Sequence, residues 1–479
     1  MFDFDDFDEP LGDDGLRDLV DAFEQAEADG TPAFFDSEAL EGIATFYFEA
    51  GRYDDALDAV DRQLDLAPSS SDSWMRRGVL LNHLDRHDEA LEAYDEALAL
   101  NPVDPETLLN RGITLDTLGR AEDALDAYAD ALAIDPTLGD AHFNRGIALE
   151  KLGRYDDAAD ALETCADADA EHPEVWYELG FCYDQMGRLD DAVVAYDRQT
   201  DLDPYAQNAW YNRGIVLNRL GRFAEAVDSY DFAVAIADDF ASAWYNRGNA
   251  LSNVGDHRGA IESYLKVLEH EEGDAATFYN LGIAYDELGE HEPAADFFRR
   301  AISDDAGYAD AHYGLGCTLD ALGRYAEALD AFGNALRLLP DESEYWHARA
   351  DTEYNAGHLA DALRSYAEAV RLDPKNVDAW LDLAETRLEV GHPSEALVAF
   401  AHVVRLDPGS SEAHLRQAQA LASLGQRESA ARSIRRAAEL APDEQADEIR
   451  RLHRELLADG RWGRTGGGFP EGGLSGQER

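Results

Sequence analysis

The sequence repeats itself at a constant step of 34 residues through most of its length. Twelve units that begin at Ser37 end at Glu444, with no insertion or deletion between them. Because a repeat of this length forms one small supersecondary unit that packs only on its neighbours, the period predicts a linear stack of similar units. One alanine position marks the step in all twelve units: Ala56, Ala90, Ala124, Ala158, Ala192, Ala226, Ala260, Ala294, Ala328, Ala362, Ala396 and Ala430.

Each unit carries the pattern of two helices joined by a turn. In residues 207–240, two runs of apolar and small residues have helical spacing, and Gly221 separates them at a place that favours a left-handed backbone. We expect a hairpin that closes where Gly214 of the first helix and Ala226 of the second let the two backbones approach, because added bulk at such a contact costs about 1–3 kcal/mol. The first-helix glycines at this position are Gly78, Gly112, Gly146, Gly180, Gly214, Gly248, Gly282 and Gly316.

The residue types within the units resemble those of the tetratricopeptide repeat (TPR) family. Trp at the fourth position of six units, Gly at the eighth, Gly at the turn, and then Ala, Tyr or Phe, Ala and Pro at fixed positions match the family's pattern over residues 37–444. The resemblance implies an all-α fold, a right-handed superhelical solenoid of twelve TPR hairpins with helical caps. A pentatricopeptide array would need a slightly longer period and a basic groove for RNA, so that interpretation fails.

The segments outside the array are too short for a catalytic domain of ordinary size. A terminal hairpin has no neighbour on one side, so we expect a capping helix at each end of the array. The first segment alternates Phe with Asp, and we interpret it either as a disordered tail or as a docking motif or self-ligand for the array's own groove. The predicted division is a disordered acidic-aromatic segment at 1–15, a capping helix and linker at 16–36, twelve repeats at 37–444, a capping helix at 445–458 and a Gly-rich disordered tail at 459–479.

The acidic side chains are spread along the whole chain. There are 100 Asp and Glu against 40 Lys and Arg, which gives a formal net charge of −60 near neutral pH. Such a polyanion repels phosphate backbones and anionic lipid heads, so we expect neither nucleic acid nor a membrane surface as partner. The composition resembles that of proteins from salt-loving archaea, which predicts a fold that is loosened by dilution of salt. Without a signal sequence, a long apolar run or a disulfide pattern, we expect a cytoplasmic protein with no membrane insertion.

No motif for catalysis, phosphate binding or metal binding stands out from the repeat. No two of the fourteen histidines form an H-E-x-x-H arrangement, no C-x-x-C pair is present, and no glycine-rich run is followed by G-K-[ST]. Cys317 is the one thiol expected to face the groove, where we favour a small apolar filler over a reactive group. We therefore expect no enzyme activity, cofactor or metal.

A candidate binding surface comes from the family resemblance, which implies that the first helices line a concave groove at positions 2, 5, 9, 12 and 13 of each unit. The fifth position is aromatic in six consecutive units, and the twelfth is mostly acidic or amide. Only Lys151 and Arg219 are basic there, which argues against the family's grip on a C-terminal carboxylate. The predicted groove residues are Phe143, Tyr177, Phe181, Tyr211, Ile215, Asn218, Tyr245, Asn249, Tyr279, Ile283 and Tyr313.

These observations favour a non-catalytic scaffold that binds other proteins in the groove and so assembles or regulates a complex. The expected partners are extended or helical protein segments that are apolar with some basic residues, because Tyr offers large contact area at low entropy cost and the acids attract Lys and Arg. Generic family packing would also account for the aromatic row. Two alternatives stay open: an enzyme-associated subunit that presents substrates to a separate catalytic chain, and a self-associating structural rod.

Overall fold

The computed structural model describes residues 13–29 and 34–442, together with Ile449 and Arg451. All regular secondary structure within these residues is helical, and the twelve predicted hairpins are present, which confirms the all-α class of TPR solenoids. The described residues form two compact parts, each made of several 34-residue repeats. We call the part up to Asp238 the first unit and the part from Asp239 onward the second unit. Residues 1–12 and 459–479, and the predicted helix at 445–458 apart from Ile449 and Arg451, lie outside the described residues.

The first unit consists of one single helix and six hairpins, and consecutive helices pack against each other. Its helices are α1 (Asp13–Asp29), α2 (Ser37–Glu49), α3 (Tyr53–Leu66), α4 (Ser71–His83), α5 (His87–Leu100), α6 (Pro105–Thr117), α7 (Ala121–Ile134), α8 (Gly139–Lys151), α9 (Tyr155–Ala168), α10 (Val175–Gln185), α11 (Leu189–Leu202), α12 (Gln207–Arg219) and α13 (Phe223–Ile236).

The second unit repeats the same arrangement with six further hairpins within the described residues. Its helices are α14 (Ala241–Val254), α15 (His257–His270), α16 (Ala275–Glu287), α17 (His291–Asp304), α18 (Ala309–Ala321), α19 (Tyr325–Leu338), α20 (Ser343–Asn355), α21 (Leu359–Leu372), α22 (Val377–Glu389), α23 (Pro393–Leu406), α24 (Ser411–Ser423) and α25 (Arg427–Leu440).

Local sequence signals set where the helices begin and turn. The Asp36 carboxylate accepts a hydrogen bond from the Ala39 amide at the start of α2, and the Asn376 side chain caps α22 in the same way. Between the helices of a hairpin, Gly221 has a φ of 72°, a left-handed backbone that side chains disfavour. Asp85 takes this place in one hairpin with a φ of 58°, which short polar residues tolerate best. The turn is therefore kept even where the glycine is not.

The closing contact inside each hairpin differs in one respect from the expectation. All twelve alanines of the marker position have 0% exposed surface. A Cβ added at Gly214, however, would stand 2.6 Å from a ring carbon of Tyr230, so the glycine makes room for this ring and not for Ala226. The expectation that small residues at these two positions let the helices approach did not include the Tyr230 ring, which Gly214 meets directly. The same contact joins Gly78 to Tyr94, Gly112 to Tyr128, Gly180 to Tyr196, Gly248 to Tyr264, Gly282 to Phe298 and Gly316 to Phe332, while Gly146 meets Leu162.

Polar contacts fix each hairpin on the one before it. The indole N–H of Trp210 donates to the carbonyl of Pro204, 3.0 Å away, and Trp74, Trp176, Trp346 and Trp380 donate in the same way to the residue six positions earlier. The sequence Asn-Arg-Gly recurs at residues 110–112, 144–146, 212–214 and 246–248. Its Arg reaches the preceding hairpin, since Arg213 Nε lies 2.5 Å from Asp197 and Arg111 Nε 3.0 Å from Asp95. These bonds set the register between successive hairpins within a unit.

Helix α1 covers the apolar face of the first hairpin. Val20 and Phe23 are buried together with Leu40, Ile43 and other residues of α2 and α3. The helix starts at Asp13, three residues before the predicted boundary at Leu16. At the other end, the Ile449 side chain is buried against the last hairpin in a cluster that includes Ile434.

Candidate functional site

The first helices of successive hairpins contact one another within each unit, as α8 does α10 and α10 does α12. We call the surface that they share the first-helix wall. All eleven predicted groove residues lie on these helices, and each is half-buried. Phe143, Tyr177, Phe181, Tyr211, Ile215 and Asn218 belong to the first unit, and Tyr245, Asn249, Tyr279, Ile283 and Tyr313 to the second.

In the first unit, each wall tyrosine rests on the buried aromatic residue that closes its own hairpin. The ring centroids of Tyr177 and Tyr196 are 6.0 Å apart, and those of Tyr211 and Tyr230 are 6.1 Å apart, both at tilted or edge-on angles. The Tyr177 hydroxyl accepts a 3.1 Å hydrogen bond from the amide of Asn212 in the following hairpin. The wall tyrosine is therefore held from below by a ring and at its tip by the next repeat.

In the second unit, Tyr245 is the centre of a neutral polar network. Its hydroxyl accepts a 3.1 Å hydrogen bond from the Asn280 amide, which also donates to the Asn249 side-chain oxygen at 3.1 Å. The buried Tyr264 hydroxyl donates to the same Asn249 oxygen at 2.8 Å. This network joins two hairpins through uncharged side chains.

The last two predicted aromatics each contact a ring of the following repeat or the linker before it. Tyr279 contacts Tyr308 with ring centroids 4.9 Å apart, and Tyr313 stacks on Tyr345 at 4.6 Å and 18°. The Tyr313 hydroxyl also donates to Glu344 at 3.1 Å. The six aromatics that share one sequence position therefore differ in the side chains that they contact.

An acid pair lies on the wall of the first unit. Burial, with a further contribution from the neighbouring Glu150 carboxylate, raises the pKa of Glu178 to about 8 in total. Burial also raises the pKa of Glu150. Two carboxyl groups that share a proton in this way carry one negative charge near neutral pH. The pair adjoins Cys182, whose pKa burial and these two acids raise to about 12.

The two basic residues on the predicted wall are already paired with acids. Lys151 Nζ lies 2.6 Å from Asp116, and the Arg219 guanidinium contacts Asp184, in each case one repeat earlier. The wall therefore offers acids and aromatics to a ligand, and its two cations serve to join hairpins.

The cysteine side chains of the described residues stay protonated near neutral pH. Burial raises the pKa of Cys317 to about 12 and that of Cys165 to about 11, so both are thiols and not the thiolates that act as nucleophiles. The described residues include no helix that has both the length and the apolar character needed to cross a membrane.

The predicted wall did not include the sixth position of each repeat. Asn212, Asn280 and Asp382 all occupy it, and each reaches back to the fifth-position side chain of the preceding repeat, 35 residues earlier. Glu178 also lies at this position. A signal was available, because the run of Asn at this position parallels the run of Tyr at the fifth, but the wall positions carried over from the family do not include it.

Antiparallel helical hairpins, closed by glycine-to-ring contacts and stacked through their first helices, define a class of α-helical repeat proteins. The tetratricopeptide repeat family matches more than half of the chain, and the chain belongs to this family. The matches cover residues 42–105, 85–139, 183–242, 299–343, 313–377 and 347–389. Further tetratricopeptide repeat profiles match residues 149–211 and 387–456, 239–304, and 127–159.

Several solved structures are similar to the chain, and no curated protein matches it. MamA is 26% identical and covers 34% of this chain and 94% of its own, with a TM-score of 0.33. YrrB, a TPR protein with an unusual peptide-binding site, is 22% identical over 43% of this chain and 96% of its own, with a TM-score of 0.35. Yeast Tom70 is 17% identical over 89% of this chain and 96% of its own, with a TM-score of 0.36.

Proposed function

We propose that the chain is a non-catalytic scaffold that holds segments of other proteins along its first-helix wall and so assembles or regulates a complex. Membership of the TPR family supports the general role of a protein-interaction scaffold. The proposal that segments bind on the first-helix wall rests on one observation, the half-buried aromatic side chains from Phe143 to Tyr211 in the first unit and Tyr245 and Tyr279 in the second. Their inner faces rest on the core and their remaining surface is open to contact.

The chemistry of the wall selects the segment that it would hold. Aromatic side chains held by a ring beneath them give contact area with little loss of entropy on binding. The acids around them, the Glu150–Glu178 pair and Asp286 among them, attract Lys and Arg. We therefore propose an apolar protein segment with some basic residues as the ligand, and the net charge of −60 disfavours nucleic acid. A cytoplasmic location remains part of the proposal.

A library of immobilised peptides that vary in apolar and basic content tests this role with the full chain. Wild-type protein should retain peptides that combine aromatic or aliphatic residues with Lys or Arg, and should release their acidic counterparts. Replacing Tyr177 and Tyr211 by Ala tests the wall of the first unit, and Tyr245→Ala with Tyr279→Ala tests the second. Each pair should lower affinity about ten-fold or more, as loss of aromatic anchors does in other interfaces.

Tyr205→Ala is the matched control, because this tyrosine lies outside the wall and is 80% exposed. It should bind as the wild type does. Equal binding by the wall variants, with unchanged helical content by circular dichroism, would contradict groove binding. A catalytic chain that co-purifies and depends on the wall would instead favour the substrate-presenting subunit. A concentration-dependent mass by light scattering would favour the self-associating rod.

A further inference from the structure

One histidine and two aspartates converge on the first-helix wall of the second unit. His347 and Asp351 lie one turn apart on α20, and Asp382 lies on α22 of the following hairpin. His347 Nε2 is 2.8 Å from Asp382 Oδ2 and 3.8 Å from Asp351 Oδ1. One ligand atom of each residue lies within 4.8 Å of the others. We propose that these three side chains bind a divalent transition-metal ion, for which Zn²⁺ is the best match.

The distances suit a small tetrahedral ion. Zn²⁺ binds imidazole nitrogen and carboxylate oxygen at about 2.0–2.2 Å, so two ligands in tetrahedral geometry lie about 3.3–3.5 Å apart. The two measured separations from His347 Nε2, 2.8 Å to Asp382 and 3.8 Å to Asp351, fall on either side of that value. The two carboxylate ligand atoms lie at most 4.8 Å from each other.

The electrostatic balance favours a cation. The hydrogen bonds that the described residues donate to the two carboxylates come from His347 and from Tyr366, whose hydroxyl lies 2.6 Å from Asp351. Neither donor carries a full positive charge when the imidazole is neutral, whereas Asp320 adds a further negative charge nearby. A metal ion would neutralise a pair of carboxylates that the protein itself leaves in excess.

The second unit contains an uncharged version of the same arrangement three repeats earlier. Tyr245, Asn249, Asn280 and Tyr264 each stand 102 residues before His347, Asp351, Asp382 and Tyr366, respectively. In the earlier set every side chain has a neutral partner. In the later set imidazole and two carboxylates replace the phenol and the two amides, while the tyrosine beneath still donates to the ninth-position side chain. The substitution thus exchanges a self-contained network for three metal ligands and keeps the outer hydrogen bond that orients one of them.

The ligand types and their exposure indicate which ion and how many protein ligands. Imidazole favours Zn²⁺ and its transition-metal neighbours over Mg²⁺ and Ca²⁺, which prefer oxygen alone. The side chains are 19% exposed for His347, 47% for Asp351 and 38% for Asp382, so an ion can reach them from solvent. Three protein ligands leave a fourth tetrahedral position for water or for a donor group of a molecule lying on the wall.

Titration of the full chain with Co²⁺ tests the site, because Co²⁺ takes Zn²⁺ geometries and its visible absorption is intense only when its coordination is tetrahedral. Molar KCl and a large excess of Mg²⁺ suppress binding to the many surface carboxylates. We expect saturation at one Co²⁺ per chain, with displacement by Zn²⁺. The variant that combines His347→Tyr, Asp351→Asn and Asp382→Asn rebuilds the neutral set already present in the fold, and it should weaken binding about 100-fold or more.

A variant that places the same three ligands in the earlier repeat provides an independent test of the metal site. Tyr245→His, Asn249→Asp and Asn280→Asp together should add a second equivalent of Co²⁺ with the same spectrum. The single variant Asp382→Asn, which keeps the side-chain shape, should lower affinity even where the triple variant unfolds. An unchanged one-equivalent signal in Asp382→Asn, or binding that Mg²⁺ abolishes in the wild type, would overturn the proposal.

Discussion

The hairpin interior and the first-helix wall of this protein follow different rules. In the interior, the marker alanine is fully buried in all twelve hairpins, and the glycine at the eighth position meets a Tyr, Phe or Leu side chain wherever it occurs in the array. On the wall, the same sequence position is Phe143 in one repeat, Tyr245 in another and His347 in a third. The interior repeats because its close packing leaves little choice of side-chain size. The wall varies because a half-buried position accepts any side chain whose polar atoms find partners.

The largest expected effect comes from breaking the interior. Gly214→Leu places a branched side chain where the Tyr230 ring lies, 2.6 Å from the position of the Cβ, and should lower the free energy of unfolding by about 3 kcal/mol or more. Leucine is the sharper test because Ala350 and Ala384 show that a methyl group is accommodated at this position in other repeats. Chemical denaturation followed by circular dichroism measures the change.

Gly221→Ala is the matched control for that experiment. A Cβ at Gly221 meets nothing within 4 Å, and the cost comes only from its φ of 72°. We expect a loss of about 1–2 kcal/mol. A larger loss at Gly221 than at Gly214 would mean that the turn, and not the ring contact, limits the stability of the hairpin.

The second prediction concerns the acid pair on the wall. The folded-state pKa of Glu178 is about 8, above the ordinary value of 4.5, so the folded chain keeps a proton that the unfolded chain has lost between these two pH values. Stability is therefore highest below about pH 4.5 as far as this group is concerned, and it falls as the pH rises towards 8. Glu178→Gln should stabilise the protein at pH 8 by on the order of 2 kcal/mol after allowance for solvent screening, and should change nothing at pH 5.

The difference between wild type and Glu178→Gln is the quantity to measure, since the other carboxylates titrate in both proteins. Thermal or chemical denaturation at both pH values gives it. A difference that is the same at pH 5 and pH 8 would show that folding does not raise the pKa of Glu178. Glu163→Gln serves as a control for loss of a carboxylate elsewhere in the same unit.

Much of the interior could be predicted from the sequence, and much of the wall could not. The step of 34 residues was sufficient to predict the hairpins, because residues such as Gly221 and Ala226 recur at the same position of successive repeats and only one kind of packing repeats in that way. It did not reveal that Gly214 faces Tyr230, since spacing alone cannot tell which side chain of the second helix enters the gap. It also did not reveal the Tyr245–Asn280 bond, because contacts between successive repeats depend on how far each hairpin is rotated on the last.

A third prediction separates wall tyrosines with the same sequence position. Tyr245→Phe removes the hydroxyl that accepts from Asn280, and should lower stability by about 1 kcal/mol. Tyr279→Phe is the control, because among the described residues its hydroxyl has no hydrogen-bond partner, and we expect a change near zero. Denaturation of the two single variants under the same conditions tests this. Equal losses would show that ring packing, and not the hydroxyl, distinguishes the repeats.

The smallest expected effect is the change that salt makes to the free-energy cost of a substitution in the hairpin interior. Molar KCl shortens the Debye length to about 3 Å and should raise the melting temperature of a chain with a net charge of −60. The cost of Gly214→Leu arises from steric overlap between uncharged groups, so it should differ by less than about 0.5 kcal/mol between dilute buffer and molar KCl. The gain from Glu178→Gln at pH 8 should shrink in the same comparison, because part of it is repulsion between partly exposed carboxylates. Salt responses of equal size for both variants would mean that charge acts on the whole stack and not on the wall alone.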